Sequence, residues 1–181
     1  MELARHLLPV LLYLGIPLYL STSIVVWAIK NGIGPMPTSP KQKQCLLSSL
    51  PSHVKGKIFD LGSGWGTLAI PIAKRHPECE VVGYESSPVP YFVSQVLQLT
   101  LRYSNLRFHR KDVLQTPVQD ASVIVCYLHP AAMKRLKPKL ESELKAGTVV
   151  ITNTFAVPGW KPENVIEAND IYRSKIYTYR R

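Results

Sequence analysis

The chain has 181 residues, 46% of them apolar and 19% charged, with a net charge of +10 and three cysteines. That length gives one core of ordinary domain size, and the absence of internal repeats excludes a solenoid or array. Cys45, Cys79 and Cys126 are odd in number and form no close pair, which excludes a disulfide scaffold, offers no zinc site and fits a reducing compartment.

Residues 7–29 read LLPVLLYLGIPLYLSTSIVVWAI, with no ionisable side chain other than tyrosine. A helix of that length crosses the hydrocarbon layer of a bilayer. Pro9 and Pro17 are tolerated in membrane helices, and Tyr13, Tyr19 and Trp27 are the amphipathic aromatics of such segments. A cleaved signal peptide is the alternative, but its apolar core is shorter and a small-residue cleavage site is missing before Lys30. The reading is therefore one N-terminal transmembrane helix in residues 1–31, touching the lipid bilayer. Glu2 and Arg5 flank it on one side and Lys30, Lys41 and Lys43 on the other, so the positive-inside bias puts the following domain in the cytoplasm. Residues 32–40 (GIGPMPTSP) suit a short stiff tether, and 41–50 predict a helix, with Cys45, Leu46, Leu47 and Leu50 on one face, over the ligand-binding edge. Tether and helix make up residues 32–56.

The third segment, 57–181, opens with a strand at 57–60 that runs into Asp60-Leu61-Gly62-Ser63-Gly64-Trp65-Gly66. Gly62, Gly64 and Gly66 allow a tight turn from strand to helix and bring backbone N–H groups against a nucleoside ligand, with Ser63 between them. A dinucleotide fingerprint has its third glycine one residue later, where this chain has Thr67. Residues 67–75 carry Leu68, Ile70, Ile72 and Ala73 at helical spacing, and 80–85 form a second strand ending on Glu85, 25 residues after Asp60. That is near the distance at which an acid meets ribose hydroxyls in a right-handed strand-helix-strand unit. Further helices are predicted at 89–103 and 131–144, and strands at 121–127 and 148–155. Segments 164–168 and 171–179 can pair as a closing antiparallel hairpin.

From 57 to 160 the chain resembles the class I, seven-strand S-adenosylmethionine-dependent methyltransferases. The resemblance implies an α/β fold with a Rossmann-like sheet and a C-terminal antiparallel hairpin. It implies S-adenosyl-L-methionine as cofactor, with Asp60, Gly62, Ser63, Gly64 and Gly66 at its methionine part, Glu85 on the ribose and Asp112 at the adenine amino group. The segment after the fourth strand, Tyr127-Leu128-His129-Pro130, holds the substrate-facing residues in that family. The anchor, the Pro37-Thr38 pair after it, the Asp-Leu-Gly-Ser-Gly loop and Phe155-Ala156-Val157-Pro158-Gly159-Trp160-Lys161-Pro162 narrow the likeness. They resemble the membrane-bound protein-lysine methyltransferases that modify the ATP synthase c subunit and the adenine nucleotide translocase. Trp65, where that group usually has an acid, and Tyr127-Leu128-His129-Pro130 itself depart from its pattern.

Methyl transfer is an in-line displacement at a sulfonium carbon, so the site must align nucleophile, methyl and sulfur away from water and needs no metal. A lysine nucleophile must also lose a proton. Tyr127 and His129 are the candidates to orient it or accept that proton, against the plainer roles of a packed aromatic and a residue that starts a helix. Asn153 and Trp160 are candidate substrate-pocket residues. After residue 31 the chain has 20 basic and 11 acidic residues, a charge suited to anionic lipid or nucleic acid. Lys134, Arg135, Lys137, Lys139 and Lys145 cluster in one predicted helix and Arg173, Lys175, Arg180 and Arg181 near the end. The tether favours a membrane-protein lysine as substrate. RNA, a lipid or quinone-type small molecule, and a non-catalytic cofactor-binding role stay open, and the oligomeric state is not legible.

Overall fold

The computed structural model describes residues 2–32, 34 and 37–181, giving the backbone alone for 2–8, 10 and 11. Positions 33, 35 and 36 of the expected tether lie outside the described residues. Helix α1 (Glu2–Asn31) runs unbroken through Pro9 and Pro17. Its segment Leu12–Asn31 is long and apolar enough to cross a membrane, and none of it is buried by the rest of the chain.

Seven strands form one sheet in the order β3-β2-β1-β4-β5-β7-β6. They are β1 (Lys57–Leu61), β2 (Glu80–Glu85), β3 (Leu106–Arg110), β4 (Ala121–Cys126), β5 (Val149–Asn153), β6 (Asn164–Glu167) and β7 (Lys175–Arg180). The first five are parallel, and β7 runs antiparallel between β5 and β6. Strand order reverses between β1 and β4, so the loops leaving their carboxyl ends part in opposite directions and open a crevice there.

Alternation along the strands sorts the core onto two faces. Ile58, Val81, Val123, Val125 and Ile151 pack on one side with Leu46 of α2 (Pro40–Ser49) and Ile72 of α3 (Ala69–Arg75). Phe59, Leu61, Ile124, Cys126 and Val150 pack on the other with Met133, Leu136 and Leu140 of α5 (Pro130–Glu143). Helix α4 (Pro88–Leu101) lies against β3 and β2.

Helix α2 departs from its expected place. It packs on β5, β6 and β7 rather than over the ligand-binding edge, because its one buried amide is bonded there. Gln42 Nε2 donates to Ser174 Oγ at 2.7 Å and to Asp170 Oδ2 at 2.9 Å, while its Oε1 accepts from Asn153 Nδ2 at 3.3 Å. Ser39 and Gln42 also close a capping box that starts the helix.

Strand β7 begins at Lys175 instead of residue 171. Asp170 makes the difference: its Oδ1 accepts from the Ser174 amide at 2.8 Å, and Arg173 takes a left-handed φ of 49°, so 170–174 form a turn.

Candidate functional site

The crevice holds a cavity of about 330 Å³, within the range of small-molecule sites. Its floor is the turn after β1. Gly62, Gly64 and Gly66 have φ of 79°, 54° and 80°, a region closed to most side chains. A Cβ at Gly62 would lie 2.7 Å from Leu128 Cδ2 and one at Gly66 2.9 Å from Phe108 Cζ, whereas at Gly64 it would meet nothing within 4 Å.

The loop amides behave differently from the expectation that they face a ligand. Gly62 and Ser63 both donate to the Tyr84 carbonyl, at 2.9 and 3.0 Å, and Gly66 donates to that of Ser63 at 2.9 Å. The Gly64 amide donates to Glu85 Oε2 at 2.9 Å. Strand β2 ends alongside the turn and takes up the amides of Gly62, Ser63 and Gly64, while that of Gly66 stays within the loop, so the loop contributes shape more than free N–H groups.

Asp60, Glu85 and Asp112 all line the cavity. Glu85 is buried, and its Oε1 accepts from the Ser87 amide at 2.7 Å. Each carboxylate oxygen has a second lone pair for a hydroxyl. Asp112 is exposed and turns its own loop, with Oδ1 accepting from the Leu114 amide at 2.9 Å. Asp60 is buried, and its Oδ2 accepts from the Ala69 amide at 3.1 Å, capping α3 from the neighbouring strand.

Tyr127 and His129 reach the same cavity after β4. The Tyr127 ring stacks on Phe155 at 6.3 Å. His129 occupies the N-cap of α5 but makes no side-chain cap bond. Its ring lies against the backbone of Gly32, where a Cβ would sit 2.7 Å from both Cε1 and Nε2. The end of α1 thus forms a wall of the site, and Ile29, Lys30 and Asn31 line it as well. Asn31 Nδ2 donates to Ser86 Oγ at 3.2 Å and Ser87 Oγ at 3.0 Å.

Residues 60–164 match the family described as the ANTKMT methyltransferase domain. The chain belongs to this methyltransferase family. It is 30% identical over 129 residues to the mouse adenine nucleotide translocase lysine N-methyltransferase, covering 71% of this chain and 56% of that protein. To a protein-lysine N-methyltransferase of Saccharolobus islandicus (strain REY15A) it is 29% identical over 139 residues, covering 75% and 84%. The chain thus spans little more than half the length of the mouse relative. Among solved structures, an RNA methyltransferase of Salinibacter ruber in complex with S-adenosyl-L-homocysteine superimposes with a TM-score of 0.71 at 24% identity, over 80% of this chain and 93% of that one. This last likeness bears on the fold.

Membership in the ANTKMT family makes S-adenosylmethionine the cofactor, and the residues present fit it. The space above Gly64 is open, and Ser63 Oγ is buried in the cavity wall with no hydrogen-bond partner among the described residues. Glu85 and Asp112 supply acceptors for hydroxyl and amino groups.

Gly66, Asn153 and Trp160 are not part of the cavity lining, Gly66 facing Phe108 and Ile70 instead. Asn153 is fully buried against Gln42, and Trp160 Nε1 donates to Glu141 Oε1 at 2.9 Å with its ring edge-on to Tyr179. Both join helices to the antiparallel end of the sheet. Much of the expected basic surface is paired: Lys137 with Glu141, Lys139 with Glu143, Lys145 with Asp120, Arg173 with Glu167 and Arg180 with Glu163. Lys134 and Arg135 are exposed, and Arg135 lines the cavity. Cys79 groups with His76 and Glu78, their ligand atoms within 4.8 Å. Burial raises its thiol pKa, and Sγ donates to the Val54 carbonyl at 3.0 Å.

Burial pushes the Asp60 carboxyl up to about 7 from 3.8; the Ala69 amide opposes the rise and the Glu85 charge adds to it. The folded state therefore holds a proton that the unfolded chain releases near pH 4. Stability from this group is full below the unfolded value and is lost as pH rises through about 7. A cationic ligand favours the ionised carboxylate, so its binding has the opposite sign. Cofactor affinity should rise with pH, by up to about tenfold per unit below neutrality, and level off above it. Titration calorimetry from pH 5.5 to 8.5 checks this, on the wild type and on Asp60→Asn, which should give a flat profile. A flat wild-type profile removes Asp60 from charge recognition.

Proposed function

We propose that the chain is a membrane-anchored protein-lysine N-methyltransferase, that it modifies a lysine of a membrane protein, and that its domain lies on the cytoplasmic side. The observation that carries this reading is the wall shared between anchor and cavity. The apolar helix α1 ends in Ile29, Lys30 and Asn31, Gly32 follows it, and these residues line the same cavity as Asp60, Glu85, Tyr127 and His129. A cavity built onto the end of a bilayer-spanning helix sits at the membrane surface. A lysine of a neighbouring membrane protein, emerging at that height, reaches it without leaving its own bilayer. Lys30, Lys41 and Lys43 on the domain side support the orientation. The relative named for the adenine nucleotide translocase supports the substrate class.

The bound cofactor supplies an electrophilic methyl on a sulfonium. The chain's own residues hold the amine in line and exclude water. Gly62 and Gly64 shape the floor, Glu85 ties the loop to the start of α4, and Tyr127 and His129 line the space left for the amine. Burial there lowers the pKa of an incoming lysine ammonium, and a neighbouring positive charge lowers it further. His129, whose ring is not spent on capping α5, accepts the proton.

The test is transfer of tritiated methyl from the cofactor, by the detergent-solubilised full chain, to membranes from cells that lack it. A discrete labelled protein containing methyl-lysine is the expected result. Label confined to RNA or lipid overturns the substrate class, and label only in soluble protein overturns the membrane reading.

A further inference from the structure

Helix α4 turns Ser94 and Gln95 inward and an apolar stripe outward. Ser94 is fully buried, with its hydroxyl donating to the Tyr91 carbonyl at 2.7 Å, and Gln95 Nε2 donates to the Phe108 carbonyl at 3.1 Å. Phe92, Val96 and Leu99 form an outward stripe at helical spacing, 67%, 46% and 73% exposed. A helix on the water-facing surface of a domain carries the reverse pattern.

Two further observations say what covers this stripe. From residue 86 to residue 111 the chain has no acidic residue, while Arg102, Arg107, Arg110 and Lys111 are all exposed at the end of α4 and along β3. A basic rim around an apolar stripe is the pattern of a helix lying in a membrane interface. Helix α4 also lies beside α1, Pro88 standing one turn before Phe92. A groove between the two helices has Tyr19, Thr22, Ser23, Val26 and Trp27 on the α1 side and Pro88 and Arg110 opposite, and Lys30 and Arg110 both lie over the Trp27 ring, at 4.3 and 5.9 Å. A tryptophan beneath two cations is suited to the headgroup level.

We propose that α4 is a second membrane contact, with Phe92, Val96 and Leu99 immersed in the interfacial layer beside α1 and the arginines of its rim on anionic headgroups. The inference rests on the reading of α1 as a bilayer-spanning anchor. Its consequence is geometric. A single span leaves the domain free to swing, whereas two contacts fix its tilt and hold the cavity at one height above the lipid. The acceptor lysine is then one that its protein displays within that narrow layer.

The experiment places a nitroxide label at one site at a time on the full chain with Cys45→Ser, reconstituted in phosphatidylcholine vesicles with ~25% phosphatidylglycerol. The sites are Leu99→Cys on α4, Val25→Cys on α1 and Ser52→Cys in the exposed turn before β1. Collisions with oxygen, which partitions into lipid, are compared with those of a water-soluble nickel complex. Labels at 99 and 25 should both show an oxygen-to-nickel ratio roughly ten times that at 52. A lipid signal at 25 with a water signal at 99 overturns the α4 contact and leaves the anchor standing. Water signals at both overturn the anchor reading and this inference with it. A label at 99 immobilised and shielded from both reagents means that protein covers the stripe, which also overturns the proposal.

Discussion

Gly64→Arg should abolish cofactor binding while leaving the apo fold nearly intact. At Gly64 a Cβ meets nothing within 4 Å, so the new side chain extends into open space above the loop. That space is part of the cavity, since Gly64, Trp65 and Glu85 all line it. A guanidinium there takes up cofactor volume and repels the positive charge of the sulfonium. Loss of affinity should reach about a thousandfold, or ~4 kcal/mol. The φ of 54° costs a non-glycine residue roughly 1–2 kcal/mol, a shift of several degrees in melting temperature for a domain of this size. Gly62 and Gly66 do not separate binding from folding in this way, because a Cβ there collides with Leu128 or Phe108. Calorimetric titration with the cofactor, beside a thermal melt of the apo protein, checks both halves. Affinity retained within about tenfold would move the site away from this loop.

The residues that make this variant informative were readable without coordinates, because a strand-glycine-helix pattern is local. Strand β2 has the expected bounds of 80–85, and β1 runs one residue longer than expected. Helix α3 starts at Ala69 instead of 67, because positive φ at Gly64 and Gly66 keeps the chain in turns. What depends on distant partners was not readable. Asn153 stands at the end of a strand where a pocket residue is expected, but Gln42, 111 residues earlier, takes its side chain. Trp160 is likewise taken by Glu141 on α5. The wall made by Asn31 and Gly32 was missed for the same reason. Its one local hint is that the tether is short, so the end of α1 must lie near whatever the tether joins. A helix is expected at 89–103, where α4 stands, but the outward direction of its stripe depends on Ser94 and Gln95 facing inward, which periodicity alone does not decide.

His129→Ala should lower kcat by roughly a hundredfold or more with cofactor affinity unchanged, the size of effect that follows loss of a general base. The side chain makes no cap bond to α5, so its removal leaves the helix start in place and the melting temperature close to the wild type. Tyr127→Phe keeps the stack on Phe155 and should cost less. A purely positional role for the imidazole is separated by His129→Gln, which keeps a hydrogen-bonding group but not a base. Recovery of turnover in that variant would remove His129 from proton transfer. Gly32→Ala provides the complementary probe. Its Cβ would fall 2.7 Å from two atoms of the His129 ring, and the φ of 76° adds strain at the end of α1. Every cavity side chain is retained, yet the ring must move. A fall in kcat of at least tenfold, with KM for cofactor held, is the expected result. It would tie the residue that follows the apolar helix to the chemical step, because the changed atom lies one residue past α1 and the lost rate belongs to the imidazole it touches.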